Sequence, residues 1–264
     1  MLASLILWAA LLAVFLGLVC LIRPLRFLRL RPRRAGAVLL VVGVACAAAT
    51  ALWPARERHS GGSLRIDRFM PVFHFYEHHE IRIRAGRDEV FRAIREVTPP
   101  EVRSLGNLMR IRTLPARILG LGARRPPPSQ PILDIATGSS FLYLADEPPE
   151  EIVLGTAGQF WKASGTSVRV ASPEEFLALS DPAVARAVMN FAVTDEGEGW
   201  SRVTTETRIA APSPATRRRF AAYWRLIYPG SSIIRYGWLR AIQRRAEAAR
   251  SMAFDPCVRH IIGR

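Results

Sequence analysis

Two long apolar runs, separated by an arginine cluster, dominate the first 53 residues. Residues 2–22 contain no formal charge over 21 positions, and residues 35–53 contain none over 19. An α-helix rises about 1.5 Å per residue, so each run can cross a hydrocarbon core about 30 Å thick. The pattern predicts a two-pass transmembrane hairpin over residues 1–53. The loop between the two spans holds six arginines: Arg23, Arg26, Arg29, Arg31, Arg33 and Arg34.

The flanking charges predict the orientation of this hairpin. Arginine and lysine concentrate in cytoplasmic loops, and the loop between the spans is more basic than the segments outside it. We therefore expect the loop in the cytoplasm and residues 54–264 outside it, in an extracytoplasmic domain attached to the cell membrane. Gly43 and Ala47 are four positions apart, the spacing that lets two membrane helices approach closely, so we expect Gly43 to face the first helix.

The chain after the hairpin alternates between strand-like and helix-like patterns. A polar linker over residues 54–70 leads into a domain over residues 71–250, and residues 251–264 form a C-terminal tail. Polar and apolar residues alternate over 80–84, which predicts a first strand, and helical spacing follows over 88–97 and again from 101 to 109. Seven runs rich in β-branched and aromatic residues follow, and they predict about six antiparallel strands; the runs lie at residues 132–136, 141–145, 152–156, 160–162, 168–171, 189–193 and 202–209.

The longest helical pattern begins at residue 213 or 214 and continues to about residue 250. Pro229 and Gly230 interrupt it, and we expect them to break or kink the helix because proline cannot donate a backbone hydrogen bond.

This order of elements resembles the START and Bet v 1 superfamily, the SRPBCC or polyketide cyclase-like proteins with a helix-grip fold. The likeness covers residues 73–250, and its carrying segments are HEIRIRAGRDEVFRAI, MNFAVTDEGEGWSRVTTETRI and RRFAAYWRLIYPGSSIIRYGWLRAIQRRAE. The resemblance implies an α+β fold: two N-terminal transmembrane helices, then a curved antiparallel sheet wrapped around a long C-terminal helix. It also implies an apolar cavity between the sheet and the helix.

The candidate cavity residues come from the strands and from the aromatic face of the long helix. Tyr223, Trp224 and Tyr228 are expected to pack on the concave sheet, and the threonines of the last strand face the same way. The full set of candidates is Arg110, Asp134, Gln159, Asn190, Thr205, Thr207, Tyr223, Trp224 and Tyr228. The other face of the last strand carries Glu206, which we expect to be solvated beside Arg82 or Arg84; a role as an acid or base is the alternative.

The net charge of +15 lies at the two ends of the chain. Residues 1–60 carry +7 and residues 213–250 carry +8, whereas residues 61–212 carry −1. This distribution favours an anionic lipid surface over a nucleic acid as partner. The arginines expected to face the bilayer are Arg217, Arg218, Arg219, Arg240, Arg244 and Arg245. Keeping the long helix soluble is the alternative role for these side chains.

The sequence contains no motif that predicts a catalytic, cofactor or metal site. There is no glycine-rich phosphate loop, no H-E-x-x-H and no G-x-S-x-G. His74 and His78 flank a strand, where four residues span about 13 Å, too far for two ligands of one ion. Cys257 and His260 form an isolated C-x-x-H, and three cysteines make no disulfide framework. We therefore predict no catalytic residue, no metal and no cofactor.

Together these patterns predict a membrane-anchored protein that binds a lipid or another hydrophobic small molecule in a helix-grip cavity. The first alternative is an enzyme of the polyketide cyclase or dehydratase type that uses the same cavity, which a buried acid–base pair would favour. The second alternative is a structural or partner-binding module with a collapsed cavity.

Overall fold

The computed structural model describes residues 2–22, 33–118, 127–162 and 166–254. The fold is mixed α+β, with an N-terminal pair of apolar helices, a six-stranded antiparallel sheet and a long C-terminal helix. The helices are α1 (Leu2–Ile22), α2 (Arg33–Leu52), α3 (Arg65–Phe69), α4 (Arg87–Glu96), α5 (Leu105–Ile118), α6 (Ile132–Thr137), α7 (Pro173–Ala178) and α8 (Pro214–Phe254). The strands are β1 (Arg58–His59), β2 (Val72–Phe73), β3 (Phe75–Ile83), β4 (Leu142–Glu147), β5 (Glu151–Gln159), β6 (Thr166–Val168), β7 (Ala185–Gly197) and β8 (Trp200–Ala210).

The chain forms two compact units, which are described separately. The hairpin unit comprises residues 1–55 and 214–229, and the sheet unit comprises residues 56–213 and 230–264. The division falls inside α8, between Pro229 and Gly230. The helix is nevertheless assigned without interruption from Pro214 to Phe254, so the break that the sequence predicted at Pro229 is not present. Proline at this position removes only the hydrogen bond to the carbonyl of Arg225.

Helices α1 and α2 are both long and apolar enough to cross a membrane. Only 22% of the most apolar stretch of α1 and 17% of that of α2 is buried, unlike the core helix of a soluble domain. Small residues form the contact between the two helices. A Cβ atom on Gly43 would lie 2.9 Å from the carbonyl oxygen of Ala10, and one on Gly17 would lie 2.8 Å from the amide nitrogen of Leu40. The prediction that Gly43 faces the first helix is confirmed.

The first part of α8 packs in the hairpin unit. Trp8 Nε1 donates a hydrogen bond to the Leu226 carbonyl at 3.2 Å. The buried Arg225 donates to the carbonyls of Ala51 at 3.0 Å and Trp53 at 2.5 Å, at the C-terminal end of α2. Ala51 lies in the last turn of α2, where backbone carbonyls have no donor within the helix, and Trp53 follows the helix directly; the guanidinium group therefore satisfies both carbonyls and complements the helix dipole.

The sheet has the strand order β3-β8-β7-β5-β4, with β6 paired to the other end of β5, and all its neighbours are antiparallel. The first long strand of the domain, β3, pairs with the last, β8, which is the pairing that the expected position of Glu206 beside Arg82 or Arg84 requires. The turn between β7 and β8 uses Gly197 and Gly199, both with positive φ, which glycine adopts without steric cost.

Both faces of the sheet are covered. On one face, the part of α8 after Gly230 packs Trp238, Leu239 and Ile242 in a core with Phe191 and Val203. We call this the inner face. Apolar residues from the segment before β3 and from α7 bury the outer face, and they are Ile66, Phe69, Met70, Phe73 and Phe176. As a result β5 is buried along almost its whole length.

The segment that composition predicted to be a polar linker, residues 54–70, carries ordered structure. Strand β1 pairs with β2, and α3 buries Ile66 and Phe69 against the outer face of the sheet. Because α3 covers the outer face of the sheet, the prediction that Glu206 is solvated is wrong in part. Its side chain lies on the outer face as expected, but it is only 9% exposed. Its ion-pair partner is Arg208, whose Nη2 lies 2.6 Å away, and not Arg82, which pairs with Glu196.

Two predicted strands are absent. Residues 132–137 form helix α6, and the amide of Ile132 at its start donates to the Val97 carbonyl at 2.9 Å. Residues 160–162 form a turn at the end of β5. Between β6 and β7 lies the short helix α7, and Ser172 caps it by accepting from the Glu175 amide at 3.2 Å.

Candidate functional site

A buried carboxylate lies at the inner face of the sheet unit, between β3 and α8. Glu77 is 2% exposed. Its Oε2 accepts a hydrogen bond from Ser231 Oγ at 2.7 Å, and its Oε1 accepts one from Ser232 Oγ at 2.7 Å. His79 Nε2 lies 2.9 Å from the same Oε1. Successive side chains of a strand alternate between faces, so Glu77 and His79, two positions apart, project to the same side.

A buried arginine accompanies this carboxylate. Arg235 comes one helical turn after Ser231 and donates to Thr207 Oγ1 at 2.5 Å and to Thr205 Oγ1 at 3.3 Å. Its guanidinium group also lies 6.0 Å from the centre of the Trp238 ring. Burial lowers the pKa of Arg235 to about 10, against the attraction of Glu77, which raises it. At neutral pH this group is therefore a cation inside the domain.

The hydrogen bonds keep Glu77 ionised. Burial alone raises the pKa of this carboxyl group, because it disfavours the charged form. Hydrogen bonds from His79, Ser231 and Ser232 act in the opposite direction, as does the charge of Arg235. The net result is a pKa of Glu77 below its ordinary value. An ionised carboxylate only accepts hydrogen bonds, so the proton in its contact with His79 is on Nε2.

An open groove of about 610 Å³ runs along α8 in the sheet unit. Its lining residues are His79, Arg103, Ser104, Ser232, Ile233, Tyr236, Gly237, Arg240 and Arg244. Gly237 lets α8 approach the opposite wall, because a Cβ atom there would lie 3.2 Å from Val102 Cγ1 and 3.3 Å from Ser104 Oγ. His79 and Ser232 belong both to this lining and to the hydrogen bonds of Glu77, so the groove reaches the buried carboxylate.

Three arginines of the groove have no carboxylate partner within the part of the chain that the structure describes. Arg244 donates to the backbone carbonyl of Glu101 at 2.7 Å. Arg240 donates to Tyr236 Oη and to Gln243 Oε1, both neutral groups. Neither these two nor Arg103 takes part in a described salt bridge. The groove is therefore lined by positive charge that no protein anion within the described ranges neutralises.

Apolar side chains accompany these charges. Ile233 is 52% exposed and Tyr236 is 48% exposed, and both lie in the groove. Helix α5 begins directly after the groove residue Ser104 and exposes three further large apolar side chains, Met109, Ile111 and Leu114. Cationic and apolar surface together suit a ligand that has an anionic end and a hydrocarbon end.

Within the sheet unit, the residues that the sequence proposed for a cavity do not lie at one place. Thr205 and Thr207 lie on the inner face, where they hold Arg235. Arg110 and Asp134 are exposed on α5 and α6, and Gln159 donates to the Ala183 carbonyl at 3.2 Å. Tyr223, Trp224 and Tyr228 belong to the hairpin unit, where Trp224 contacts Phe220 and Tyr228, so these aromatic residues are not assigned to the unit of the sheet.

The arginines predicted to face the bilayer are likewise divided between the hairpin unit and the sheet unit. Arg217, Arg218 and Arg219 lie at the start of α8 in the hairpin unit. Arg240 and Arg244 line the groove. Arg245 is engaged by carboxylates, with Nη1 3.1 Å from Glu96 and Nη2 3.1 Å from Glu101. A structural role therefore accounts for Arg245.

Asn190 is fully buried on the outer face, within a second polar network. Its side chain donates to Glu151 Oε1 at 2.6 Å and accepts from the Glu206 amide at 2.7 Å. Arg208 lies between Glu206 and Asp67, 2.6 Å from each carboxylate. This network satisfies buried polar groups and holds α3 on the sheet, so we assign it to folding.

The sequence did not predict the hydrogen-bonded residues that join the groove to the buried carboxylate. Glu77 and His79 lie in the same short segment as His74 and His78, whose spacing of four residues argued against a metal site. Glu77 and His79 are two positions apart in a strand, and this spacing indicates that their side chains lie on the same face. Ser231 and Ser232 gave none, since nothing local shows that they meet a carboxylate 154 positions earlier. Among the described residues, no cluster of His, Cys, Asp and Glu could hold a metal ion.

No family model matches the chain, and no curated protein or solved structure matches it either. The chemistry of the groove residues is therefore the basis for its function.

Proposed function

We propose that this protein is a membrane-anchored binding protein for an anionic amphiphile, and that the ligand is an anionic phospholipid. The observation that carries the proposal is the open groove with three arginines that lack carboxylate partners in the described chain beside exposed apolar residues. A phosphate group would contact Arg103, Arg240 and Arg244, and an acyl chain would lie along Ile233 and Tyr236. The amphiphile matches both surfaces at once, whereas a nucleic acid would leave the apolar surface in water.

We also propose that the sheet unit is a variant of the helix-grip fold. The antiparallel sheet with a long C-terminal helix on its inner face supports this interpretation. In this variant the space between helix and sheet is filled by Arg235 and Trp238, and the ligand site is the groove along α8 rather than an enclosed cavity.

Removing the three groove charges should abolish most of the lipid binding. Each basic side chain near an anionic group contributes about 1 kcal/mol, so replacing Arg103, Arg240 and Arg244 by Gln should weaken binding by about 100-fold. Native mass spectrometry of the full chain in neutral detergent would compare bound phosphatidylglycerol with phosphatidylcholine of the same acyl chains. The wild type should prefer phosphatidylglycerol, and the triple variant should lose that preference.

The matched control removes three exposed arginines outside the groove. Arg68, Arg92 and Arg169 are exposed, and none takes part in a described salt bridge. Their replacement by Gln lowers the net charge equally and should leave phosphatidylglycerol binding unchanged. Equal losses in the two triple variants would reject the groove as the binding site.

We further propose that α1 and α2 span the cell membrane with the arginine loop in the cytoplasm. Gly61 is exposed, and a Cβ atom there would meet nothing within 4 Å, so Gly61→Cys is tolerated sterically. In a chain whose native cysteines are replaced by serine, this residue should react with a membrane-impermeant maleimide in intact cells. Reaction only after lysis would reverse the orientation.

A further inference from the structure

The groove carries a histidine whose ring is oriented for proton transfer. Nε2 of His79 donates to the ionised Glu77, so in the neutral imidazole the lone pair is on Nδ1. No described residue donates to Nδ1, and His79 lines the groove. Nδ1 is therefore the nitrogen that can accept a proton when the ring is neutral, and the ring lies on the wall of the groove to which the proposed function assigns the phospholipid.

The surroundings of Glu77 fix this orientation. Its two oxygens are held by Ser231 and Ser232, and the carboxylate is buried on the inner face of the sheet. A carboxylate that holds an imidazole in one tautomer and one orientation is the arrangement that enzymes use for a histidine general base. A binding groove alone does not need a buried carboxylate–imidazole pair.

We propose that His79 is the general base of an ester hydrolase whose substrate is the acyl ester of the anionic phospholipid bound in the groove. This inference rests on the proposed function, which supplies the substrate. Glu77 acts through His79 and is a positioning residue. The arginines of the groove supply positive charge for the oxyanion that forms at the ester carbonyl.

The reaction balances without a cofactor. Nδ1 of His79 takes a proton from a water molecule as the water oxygen bonds to the ester carbonyl carbon. The tetrahedral intermediate then expels the glycerol oxygen by breaking the carbon–oxygen bond, and His79 returns the proton to that oxygen. The products are one fatty acid and one lysophospholipid.

The test uses the full chain in neutral detergent with phosphatidylglycerol as substrate, and mass spectrometry of released fatty acid. The wild type should release fatty acid. His79→Gln keeps an amide that can contact Glu77 but lacks the base, so its rate of hydrolysis should fall by at least about 100-fold when it is compared with the wild type at equal occupancy by phosphatidylglycerol, which native mass spectrometry measures. His78→Gln, on the opposite face of β3, is the control and should retain the wild-type rate.

Two further measurements guard against a misfolded variant. Added imidazole should restore part of the activity of His79→Gly, which loss of structure would prevent. The ¹⁵N chemical shifts of labelled histidine should show the Nε2–H tautomer for His79 in the wild type and a mixture of tautomers in Glu77→Gln. These shifts report the positioning role separately from the amount of folded protein.

The outcomes distinguish this inference from the proposed function. Phosphatidylglycerol bound without release of fatty acid, or release that persists in His79→Gln, overturns the hydrolase and leaves the binding function standing. Absence of binding to the wild type overturns both.

Discussion

Replacing Glu77 by Ala should lower the stability of the protein by about 3–5 kcal/mol. Glu77 and Arg235 form no direct ion pair, but the change removes the negative charge that attracts this buried cation, and an uncompensated buried charge has a large effect. It also removes the acceptor of Ser231 and Ser232. At about 2–4 °C per kcal/mol, the midpoint of thermal unfolding should fall by about 6–20 °C. Circular dichroism of the full chain in detergent measures it.

Glu80 provides the matched control on the same strand. Its side chain is 49% exposed, and it pairs with Arg202 at 2.8 Å. Exposed ion pairs contribute at most about 1 kcal/mol, so Glu80→Ala should hardly change the midpoint. In addition, Arg235→Met in the Glu77→Ala background should recover part of the loss, because an apolar side chain then replaces the unpaired charge. Similar thermal unfolding midpoints for Glu77→Ala and Glu80→Ala would show that the buried carboxylate does not stabilise the inner face.

The same carboxylate predicts how stability changes with pH. The pKa of Glu77 is lower in the folded protein than in the unfolded chain, where it is about 4.5. Its contribution is therefore fully present above that value and is lost as the pH falls through the folded pKa. Wild-type protein should lose stability below about pH 4.5 more steeply than Glu77→Ala does.

Replacing Gly43 by Leu should disrupt the packing of α1 against α2. A Cβ atom at this position would lie 2.9 Å from the Ala10 carbonyl oxygen and 2.9 Å from the Val14 amide nitrogen, and backbone cannot move aside as a side chain can. Overpacking of this kind costs about 3 kcal/mol. Val42→Leu, at an exposed position of the same helix, is the control and should have no effect.

Disulfide formation measures the distance between the two helices directly. A Cβ atom on Gly36 would lie 2.9 Å from Cys20 Cβ, so Gly36→Cys should form a disulfide with the native Cys20 after a small adjustment. The other two cysteines are replaced by serine for this experiment. Gly43→Leu should sharply reduce the yield of this disulfide, and Val42→Leu should leave it unchanged. An undiminished yield in Gly43→Leu would show that small residues do not hold the helices together.

The elements with a strong local pattern were predictable from the sequence. The two apolar helices follow from their length and lack of charge, and β3 and β8 follow from strict alternation. Helix α6 was not predictable in this way, because Ile132 and Ile135 favour a strand locally and tertiary contacts decide the outcome. The packing of α3 on the outer face was not predicted, because polar and small residues such as Ser60 and Gly61 are typical of a linker over residues 54–70. The helical spacing of Ile66 and Phe69 was the signal against it.

The candidate site was predictable only in part. Arg240 and Arg244 were predicted to face an anionic lipid surface; the structure places both in the groove, and their contact with lipid stays a prediction. The groove itself depends on Gly237, which brings α8 close to Ser104, more than 130 positions earlier in the chain. Neither the sequence spacing nor the composition contains that contact. The aromatic residues of α8 were predicted to form a cavity wall because their spacing is helical, but spacing does not reveal to which unit a segment of the helix belongs.

Photo-crosslinking tests the binding of an anionic phospholipid in the groove most directly. Phosphatidylglycerol with a diazirine in its acyl chain would be irradiated with the full chain in neutral detergent, and labelled residues would be mapped by peptide mass spectrometry. The account predicts labelling at Ile233 and Tyr236 that unlabelled phosphatidylglycerol displaces, that phosphatidylcholine does not, and that the Arg103, Arg240 and Arg244 triple variant loses. Labelling confined to α1 and α2, unchanged in the triple variant, would contradict it.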